Sequence, residues 1–386
     1  FIIFVLSLHD RSGETSPIVR NYSNSRSQIY EMIGDVRIHG NSSAIWVAND
    51  RDEKKVSWNV KPYARLADRN AMSGVTETKI IMNRVESLPN CTKYFHVPGM
   101  IFSVGGYAGH ANHGISDVII PLYFTSHEFN GSVMFFLLDS QPWWVSRYKL
   151  IFNALSNYET VTSGNDNEVL CFSRVIIGLD ADGDECRAGP GHFSDHSMTD
   201  FARFIRNTYS LERHKVDDEK SPHRALIISR RSSRFISNQD EIAETCRRMG
   251  FEVEINEIDE EFDFIARYVN TFDVMIGLHG AGIVNMIFLP ENAIVIQIIP
   301  YGLRDIARFY YQQSATDMNF RYLEHLITWE ESSLSNTYPK YSQVYFNSAG
   351  NDVLGWEKFR SIYLDINVTI DMNRFEKILV KAKHLL

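Results

Sequence analysis

The sequence has no surplus of positive charge, few cysteines and no long apolar run. Its 386 residues carry a formal net charge of −9. Because nucleic acids are bound through clustered lysines and arginines, this balance argues against a nucleic-acid partner. The four cysteines (Cys91, Cys171, Cys186 and Cys246) form no Cys-x-x-Cys pair, and no nearby histidine spacing suggests zinc. The chain also shows no internal repeat.

The apolar segment at the amino terminus, FIIFVLSL, is too short to span a bilayer, which requires about 20 residues. Two interpretations stay open: the end of a truncated membrane anchor that leads into a polar stem, or a short buried strand. We favour the truncated anchor. Glycosylation sequons occur at Asn21, Asn41, Asn90, Asn130 and Asn367. Several sequons in one chain favour a secretory compartment.

A chain of this length exceeds the usual size of one hydrophobic core, so two domains are expected. We predict a stem at 1–33, an acceptor-side domain at 34–220 and a nucleotide-sugar-binding domain at 221–386. The prediction allows the C-terminal helix to cross back to the acceptor-side domain. The boundary is placed at the charged connector ERHKVDDEKSPH (212–223). Strand-like runs in the first half are SAIWVA (43–48), KIIMN (79–83), IFSV (101–104), MFFLL (134–138) and RVIIGL (174–179).

The second half alternates strand-like and helix-like patterns. The predicted strands are RALIIS (224–229), FEVEINEI (251–258), DVMIGL (273–278) and AIVIQII (293–299). A helix is predicted to begin after Asn238, with Glu241 completing a capping-box-like start, and to end before Gly250. Continuous β-branched runs are typical of parallel strands covered on both faces. The alternation therefore predicts a doubly wound α/β domain.

Small residues follow the predicted strand DVMIGL, in the order His279, Gly280, Ala281 and Gly282. In open α/β sheets, ligands bind beyond the carboxyl ends of the strands, and the start of a helix offers unpaired amides to an anion. A diphosphate suits this position, with His279 adding a hydrogen bond. The alternative is a tight strand-to-helix turn with no ligand.

Arginines follow the strand RALIIS, and Arg230 and Arg234 should reach the same sheet edge as His279. Guanidinium groups bind phosphate oxygens through paired hydrogen bonds that lysine does not match. A solvated basic turn is the alternative interpretation. The position beside a second candidate anion site favours the functional one.

Two further clusters are candidates for chemistry. His113 and Asp117 are four residues apart, so they share one face if this segment is a helix. One of them could then deprotonate an acceptor hydroxyl. A polar cluster that caps a helix explains the two residues equally well. Asp180, Asp182 and Asp184 match a metal-binding Asp-x-Asp pattern, but acidic pairs in the glycine-containing loop 180–197 arise often by chance. We therefore predict no metal site.

Together these blocks resemble glycosyltransferase family 61, particularly its plant members. The resemblance runs from GDVRIHGNSS (34–43) to the C-terminus. It includes KPYAR (61–65), the GGY…H…D segment (105–117), PWWVSRY (142–148), ISRRSSRFISNQDEI (228–242), GLHGAGIVNMIFLP (277–290), DMNFRYLEH (317–325) and YLDINVTIDMNRF (363–375).

The resemblance implies a GT-B-like fold of two Rossmann-type domains with the active site between them. It also implies an inverting, metal-independent reaction by a type II membrane protein of the Golgi lumen. Such enzymes move a pentose, xylose or arabinofuranose, from a UDP-sugar onto xylan of the plant cell wall. The implied donor-binding residues are Arg230, Arg234, Asn238, His279, Gly280, Ala281, Gly282, Asn285 and Gln297, with Gln297 near the ribose. His113 and Asp117 become the implied base and its orienting partner, and Cys91 is expected to pair with Cys171.

Three alternatives are compatible with the sequence. A β-1,2-xylosyltransferase or a GlcNAc transferase acting on glycoproteins would fit the same family. A carbohydrate-binding protein that has lost catalysis would belong to another class. Relatives tend to have an acidic residue directly after the histidine matched to His113, where this chain has Gly114. That departure favours the inactive alternative, and the sequence predicts no oligomeric state.

Overall fold

The computed structural model describes residues 17–49, 55–162, 167–181, 192–217, 221–230, 234–258, 261–342, 344 and 356–386. The chain forms two compact units, Phe1–Ser197 and Met198–Leu386. The division falls ahead of the boundary expected at 220/221, because Met198–Thr208 and the following connector belong to the C-terminal unit. The Thr199 hydroxyl donates to the backbone oxygen of Asp317 at 2.9 Å, and the Val216 amide donates to that of Glu291 at 2.9 Å.

The N-terminal unit is built on a mixed sheet. Its strands within the described residues are β1 (Ile18–Asn21), β2 (Tyr30–His39), β3 (Ala44–Ala48), β4 (Val56–Val60), β5 (Thr78–Asn83), β6 (Lys93–Phe95), β7 (Gly99–Ser103), β8 (Met134–Leu138) and β9 (Val169–Ile177). The strand order is β4-β5-β3-β2-β9-β7-β8, with β1 paired to β2 and β6 paired to β9. Strand β7 is parallel to both β8 and β9, whereas β2 is antiparallel to β9.

Short helices alternate with the strands along this part of the chain. They are α1 (Arg69–Ser73), α2 (Ala111–His113), α3 (Ile120–Ser126), α4 (Pro142–Arg147) and α5 (Lys149–Leu155), with a π-helical turn (Gly114–Ile119) between α2 and α3. The five strand-like runs predicted in this half are all confirmed as strands. Strand β1 pairs with β2 in this sheet, so residues from 18 onward are part of the unit rather than of a stem.

A disulfide joins Cys91 to Cys171, as the family resemblance implied, with the Cα atoms 5.9 Å apart. It links the segment before β6 to β9, a strand at the centre of the sheet. Cys246 is a free, fully buried thiol in the C-terminal unit, and burial raises its pKa to about 12. It therefore behaves as a small apolar side chain.

The C-terminal unit contains a parallel sheet. Its strands are β10 (Arg224–Ile228), β11 (Glu252–Asn256), β12 (Val274–Leu278), β13 (Ile294–Ile299) and β14 (Arg321–Leu326), in the order β11-β10-β12-β13-β14. All neighbouring strands are parallel. The first four confirm the predicted strands, and β14 adds a fifth that the pattern did not reveal. Strand β11 lies on one side of β10, and strands β12 to β14 follow on the other side. The strand order therefore reverses between β10 and β12, which is the switch point of a doubly wound fold.

Helices connect and cover these strands. They are α6 (Met198–Thr208), α7 (Gln239–Arg248), α8 (Phe262–Asn270), a 3₁₀ helix (Ala281–Phe288), α9 (Arg304–Asp317), α10 (Leu334–Thr337), α11 (Trp356–Phe359), a π-helical turn (Arg360–Leu364) and α12 (Met372–Leu385). Every residue of β12 and β13 is buried, as expected when both sheet faces are covered. The C-terminal helix α12 packs against β14 and α7 within this unit.

Within the described ranges, no helix is both long and apolar enough to cross a membrane. The FIIFVLSL segment, on which the anchor prediction depends, lies outside the described residues.

Candidate functional site in the C-terminal unit

The two anion-binding elements predicted from the sequence meet at the switch point of the parallel sheet. Arg230 follows β10, and His279 to Gly282 follow β12, which pairs directly with β10. A Cβ atom built on Gly280 would lie 2.9 Å from Nη1 of Arg230 and 3.7 Å from Nη1 of Arg234. The two guanidinium groups therefore converge on the Gly280 backbone. We call Arg230, Arg234 and residues 279–282 the arginine cradle.

Glycine is required in the cradle for two different reasons. Gly280 has φ +155° and ψ −180°, a conformation that is essentially restricted to glycine. Gly282 lies against β10, since its Cβ would be 3.1 Å from a methyl carbon of Ile228. The backbone can thus approach both a guanidinium group and the neighbouring strand. The amides of Ala281 and Gly282 begin the 3₁₀ helix, where backbone N–H groups have no partner inside the helix.

The charges of the cradle are only partly compensated within the described residues. Nη1 of Arg230 is buried and has no hydrogen-bond partner there. Burial, with the nearby charge of Arg230, lowers the pKa of Arg234 from its ordinary value. Asp365 lies beside Arg234, with 3.4 Å between Oδ1 and Nε, and also pairs with Arg360. A buried donor without a partner and two convergent guanidinium groups are suited to binding an anion.

His279 is a neutral hydrogen-bonding group in this cradle. Burial lowers the pKa of His279 to about 4, and the positive charge of Arg234 acts in the same direction. Its Nδ1 is 2.8 Å from Nε2 of Gln297. Tyr311 from α9 donates a 3.0 Å hydrogen bond to the backbone oxygen of Gly280 and so fixes the turn.

The other residues implied as donor-binding are engaged within the protein. Gln297 is fully buried in β13, bonded to His279 and Tyr322, so it is not placed to contact a ribose directly. Asn238 precedes α7 as predicted, but its side chain does not cap the helix backbone. The side chain accepts a hydrogen bond from the Ile370 amide and donates to the Ile370 backbone oxygen and to the Glu241 carboxylate. Asn285 is buried and donates to the backbone oxygen of Gly282. Through these hydrogen bonds, the three residues support the arginine cradle from within the protein.

Sequence reasoning assigned no role to Asp365, Tyr311 or Tyr322. Asp365 and Tyr322 lie in blocks of the family resemblance, which was the available signal, whereas Tyr311 carried none. Each has a partner at the site that is distant in sequence: Asp365 contacts Arg234, Tyr311 contacts Gly280 and Tyr322 contacts Gln297. Only the folded chain brings them to the cradle.

Candidate base in the N-terminal unit

The predicted base pair lies where α2 passes into the π-helical turn. Asp117 has no exposed side-chain surface and accepts hydrogen bonds from the Tyr63 hydroxyl at 2.8 Å and from Nε of Arg65 at 2.7 Å. Nδ1 of His113 is 3.3 Å from Oδ2 of Asp117 and 3.0 Å from Nη2 of Arg65. The structure therefore brings His113 and Asp117 together, as their spacing predicted. The cluster extends beyond a helix cap, because Arg26 also forms an ion pair with Asp117.

Asp117 remains ionised in this setting. Burial alone would raise its pKa, but the hydrogen bond with His113 and the charge of Arg65 bring the pKa below its ordinary value. A permanent carboxylate beside an imidazole fixes the orientation of the ring. Nη2 of Arg65 can only donate, so in its 3.0 Å hydrogen bond with His113 the acceptor is Nδ1 and the ring proton lies on Nε2. Nε2 is free to accept a proton only when Nδ1 carries the ring proton and directs it to Asp117 instead.

Gly114 follows His113 because a side chain has no room there. A Cβ at this position would be 2.5 Å from the Tyr148 hydroxyl and 3.0 Å from the backbone oxygen of Ala108. The same loop is fixed by Trp144, whose Nε1 donates to that oxygen at 2.8 Å. The departure from the family pattern thus reflects close packing around the His113 helix.

Of the three aspartates in the Asp-x-Asp pattern, only Asp180 lies within the described residues. It is buried and accepts a 3.0 Å hydrogen bond from the His192 amide. In the described part of the chain, the one grouping with metal-ligand geometry is Asp35 with Cys91 and Cys171. Those two sulfurs form the disulfide, so they are not thiolate ligands.

Comparison with known proteins places this arrangement in a family. The family profile described as Glycosyltransferase 61 matches residues 188–296, which contain the whole arginine cradle. The chain is 37% identical to the alpha-1,3-arabinosyltransferase XAT2 of Oryza sativa subsp. japonica, over 94% of this chain and 63% of the relative. It is 34% identical to the beta-1,2-xylosyltransferase XYXT1 of the same organism, over 95% and 84%. It is 31% identical to the xylan glycosyltransferase MUCI21 of Arabidopsis thaliana, over 92% and 77%.

The chain thus spans less than two thirds of the arabinosyltransferase and most of the other two relatives. Identity above 30% extends through both structural units, well beyond the segment matched by the profile. This chain belongs to glycosyltransferase family 61.

Proposed function

We propose that this protein is an inverting glycosyltransferase that moves a pentose, xylose or arabinofuranose, from a UDP-sugar onto xylan. The observation that carries the proposal is the convergence of Arg230 and Arg234 on Gly280 at the switch point of the parallel sheet. Such a site binds a diphosphate by charge, by paired hydrogen bonds and by close approach of the backbone. The activities of the relatives support pentose as the transferred sugar and xylan as the acceptor.

In the proposed reaction the acceptor hydroxyl oxygen attacks the anomeric carbon of the donor sugar. The new carbon–oxygen bond forms as the bond to the β-phosphate oxygen breaks, and UDP leaves with that electron pair. The two arginines and the amides at the start of the 3₁₀ helix stabilise the charge that develops on the diphosphate. A single displacement inverts the configuration of the sugar.

On the acceptor side, His113 is the proposed base and Asp117 the residue that orients it. In the proposed step Nδ1 of His113 donates to Asp117 instead of accepting from Arg65, and Nε2 takes the hydroxyl proton while Asp117 orients the ring. Arg65 and Tyr63 position Asp117 through short hydrogen bonds. We assign donor chemistry to the C-terminal unit and acceptor chemistry to the N-terminal unit, the division of labour found in GT-B enzymes.

A donor screen tests this proposal. A ligand that binds only the folded chain at 100 times its Kd stabilises it by about 2.7 kcal/mol, so thermal shift reports binding directly. We expect UDP and one UDP-pentose to raise the melting temperature and the same UDP-pentose to label xylo-oligosaccharides. UDP-GlcNAc binding with transfer to glycopeptides would instead support a protein glycosyltransferase. Binding of xylan with no response to any nucleotide sugar would identify an inactive carbohydrate-binding protein.

We also propose that catalysis needs no metal, because the arginine cradle supplies the positive charge that a divalent cation would otherwise provide. Transfer should therefore continue in EDTA. Full dependence on manganese would contradict this version and direct attention back to the loop aspartates.

We propose a Golgi-luminal location with a type II anchor in the full-length protein. The Cys91–Cys171 disulfide supports a secretory compartment, because disulfides persist under oxidising conditions. Asn21, Asn41, Asn90 and Asn130 are exposed, whereas the Asn367 side chain accepts a hydrogen bond from the Phe235 amide. Mass spectrometry after glycosidase treatment should find glycans among the first four and none at Asn367. A chain without any glycan when expressed in plant cells would contradict the location.

A further inference from the structure

A buried chain of three side chains lies behind the arginine cradle. The Tyr322 hydroxyl is 2.6 Å from Oε1 of Gln297, and Nε2 of Gln297 is 2.8 Å from Nδ1 of His279. The three residues come from β14, from β13 and from the end of β12. Gln297 has no exposed surface, so its amide must satisfy its hydrogen bonds within the protein.

The distances indicate which atom donates in each of these two hydrogen bonds. A separation of 2.6 Å is usual for an O–H···O hydrogen bond and short for N–H···O. The Tyr322 hydroxyl therefore faces the amide oxygen, and the amide NH₂ faces the imidazole. Burial and the nearby Glu324 raise the pKa of Tyr322 well above its ordinary value, so its hydroxyl keeps its proton. An NH₂ group can only donate, so Nδ1 of His279 is an acceptor and the ring proton lies on Nε2.

We propose that Tyr322 and Gln297 are positioning residues that hold His279 in one tautomer, as a neutral Nε2–H donor to an oxygen of the bound nucleotide sugar. In the described part of the chain, Nε2 has no hydrogen-bond partner, so this donor is available. The identity of the ligand rests on the proposed function. The tautomer itself rests only on the three side chains.

The surroundings of the imidazole support a neutral ring. Arg234 faces it from the loop after β10, and Tyr310 and Tyr311 face it from α9, with ring centroids 6.2 and 5.7 Å away. No carboxylate is among the partners of the ring in the described residues. Burial and the arginine charge both oppose protonation. His279 is therefore a hydrogen-bond donor to the ligand and not a proton acceptor in the reaction.

The tautomer can be measured without any ligand. In the full chain labelled with ¹⁵N-histidine, NMR should show the Nε2–H tautomer of His279 unchanged between about pH 5.5 and 8. UDP affinity should be equally constant over this range as far as His279 is concerned. An Nδ1–H tautomer or a titrating ring in the wild-type protein would overturn the proposal, whether or not UDP binds. Failure of UDP to bind, with the tautomer as expected, would contradict only the proposed function.

Tyr322→Phe removes one hydroxyl and frees the Gln297 amide to rotate. We expect a mixture of His279 tautomers and UDP affinity weakened by about 3- to 10-fold, the usual effect of losing one hydrogen bond. Tyr268→Phe is the matched control, because that hydroxyl also bonds a side chain, Glu254 at 2.7 Å, in the same unit. If Tyr322→Phe leaves both the tautomer and the affinity as in Tyr268→Phe, the positioning role is wrong.

Gln297→Glu reverses the direction of the hydrogen bond between position 297 and Nδ1 of His279. A carboxylate can only accept, so it draws the proton to Nδ1 and raises the pKa of His279. Below that pKa the ring is an imidazolium and still donates from Nε2. Above it, the neutral ring keeps its proton on Nδ1 and presents a lone pair to the phosphate. UDP affinity of this variant should fall as pH rises, whereas a merely structural role would weaken binding equally at every pH.

Discussion

Nε of Arg234 lies 3.4 Å from Oδ1 of Asp365, so the chain supplies its own counter-ion to one of the two arginines that converge on Gly280. Asp365 follows the π-helical turn 360–364, and the next residues bond the loop that carries Arg234. The amide of Val368 donates to Phe235, and that of Ser237 donates to Val368. The C-terminal segment therefore holds the arginine loop in place and also competes with a bound anion for its charge.

Replacing Asp365 with Asn should tighten UDP binding, because the diphosphate no longer competes with a carboxylate. The pair is partly exposed, so the expected gain is about 1 kcal/mol or less, about threefold to fivefold in Kd by isothermal titration calorimetry. Asp200→Asn removes a carboxylate of similar exposure, paired with Arg203 in the same unit, and should leave Kd unchanged. Weaker binding in Asp365→Asn would mean that the carboxylate positions Arg234 rather than competing for it.

Gly280→Ala should damage the cradle in two ways. The backbone conformation at φ +155° costs an L-residue about 1–3 kcal/mol, and the new methyl group displaces the Arg230 guanidinium. We expect lower stability in chemical denaturation and a loss of UDP affinity of about tenfold or more. Gly250→Ala is the matched control, since Gly250 also has positive φ, +93°, but no cradle residue nearby. It should lose stability and keep UDP affinity; equal affinity loss in both variants would contradict the assignment.

Asp117→Asn should slow turnover without changing donor binding. Removing the carboxylate leaves His113 without its orienting partner, and loss of a positioned general base typically lowers the rate by about 10²-fold or more. Initial rates with a saturating UDP-pentose, compared with the thermal shift caused by UDP, separate the two effects. Glu31→Gln also removes a buried carboxylate paired with two arginines in the same unit, Arg20 and Arg174. A similar rate loss in both variants would indicate a structural role for Asp117.

The low pKa of His279 predicts a dependence of stability on pH. The unfolded chain binds a proton near pH 6.5, whereas the folded chain binds it only near pH 4. The stability contributed by the neutral ring is therefore full above pH 6.5 and is lost as the pH falls to about 4, by about 3 kcal/mol at most. The unfolding free energy of wild type minus that of His279→Gln should decline across this window. The surface substitution His384→Gln serves as control, and a flat difference would contradict a buried neutral imidazole.

Local pattern was sufficient to predict most of the strands and the position of the cradle. The runs DVMIGL and AIVIQII could be predicted as strands because continuous β-branched runs are typical of parallel strands covered on both faces. The structure buries every residue of β12 and β13. Arg230 and His279 could be brought together because the carboxyl ends of parallel strands share one edge. The fifth strand, β14, was not predicted, since RYLEHL mixes charged and apolar residues without a clear period.

The domain boundary was placed too late for a similar reason. The connector 212–223 has the composition of a linker, but its backbone bonds to Glu291 and its Arg213 bonds to Asp273 and the backbone of Thr271, all in the C-terminal unit. Such contacts between residues tens of positions apart leave no trace in composition.

By itself, the sequence determined the family, the parallel sheet and the identity of the residues at its edge, because these depend on local periodicity and on motif residues. Only the tertiary structure decided what those residues do. Gln297 was expected at a ribose and instead orients His279, Asn238 ties the arginine loop to Ile370, and Asp365 faces Arg234. The physical reason is that burial and partner choice set the charge and tautomer of a side chain. Both depend on neighbours that the fold, and not the chain order, brings within hydrogen-bond distance.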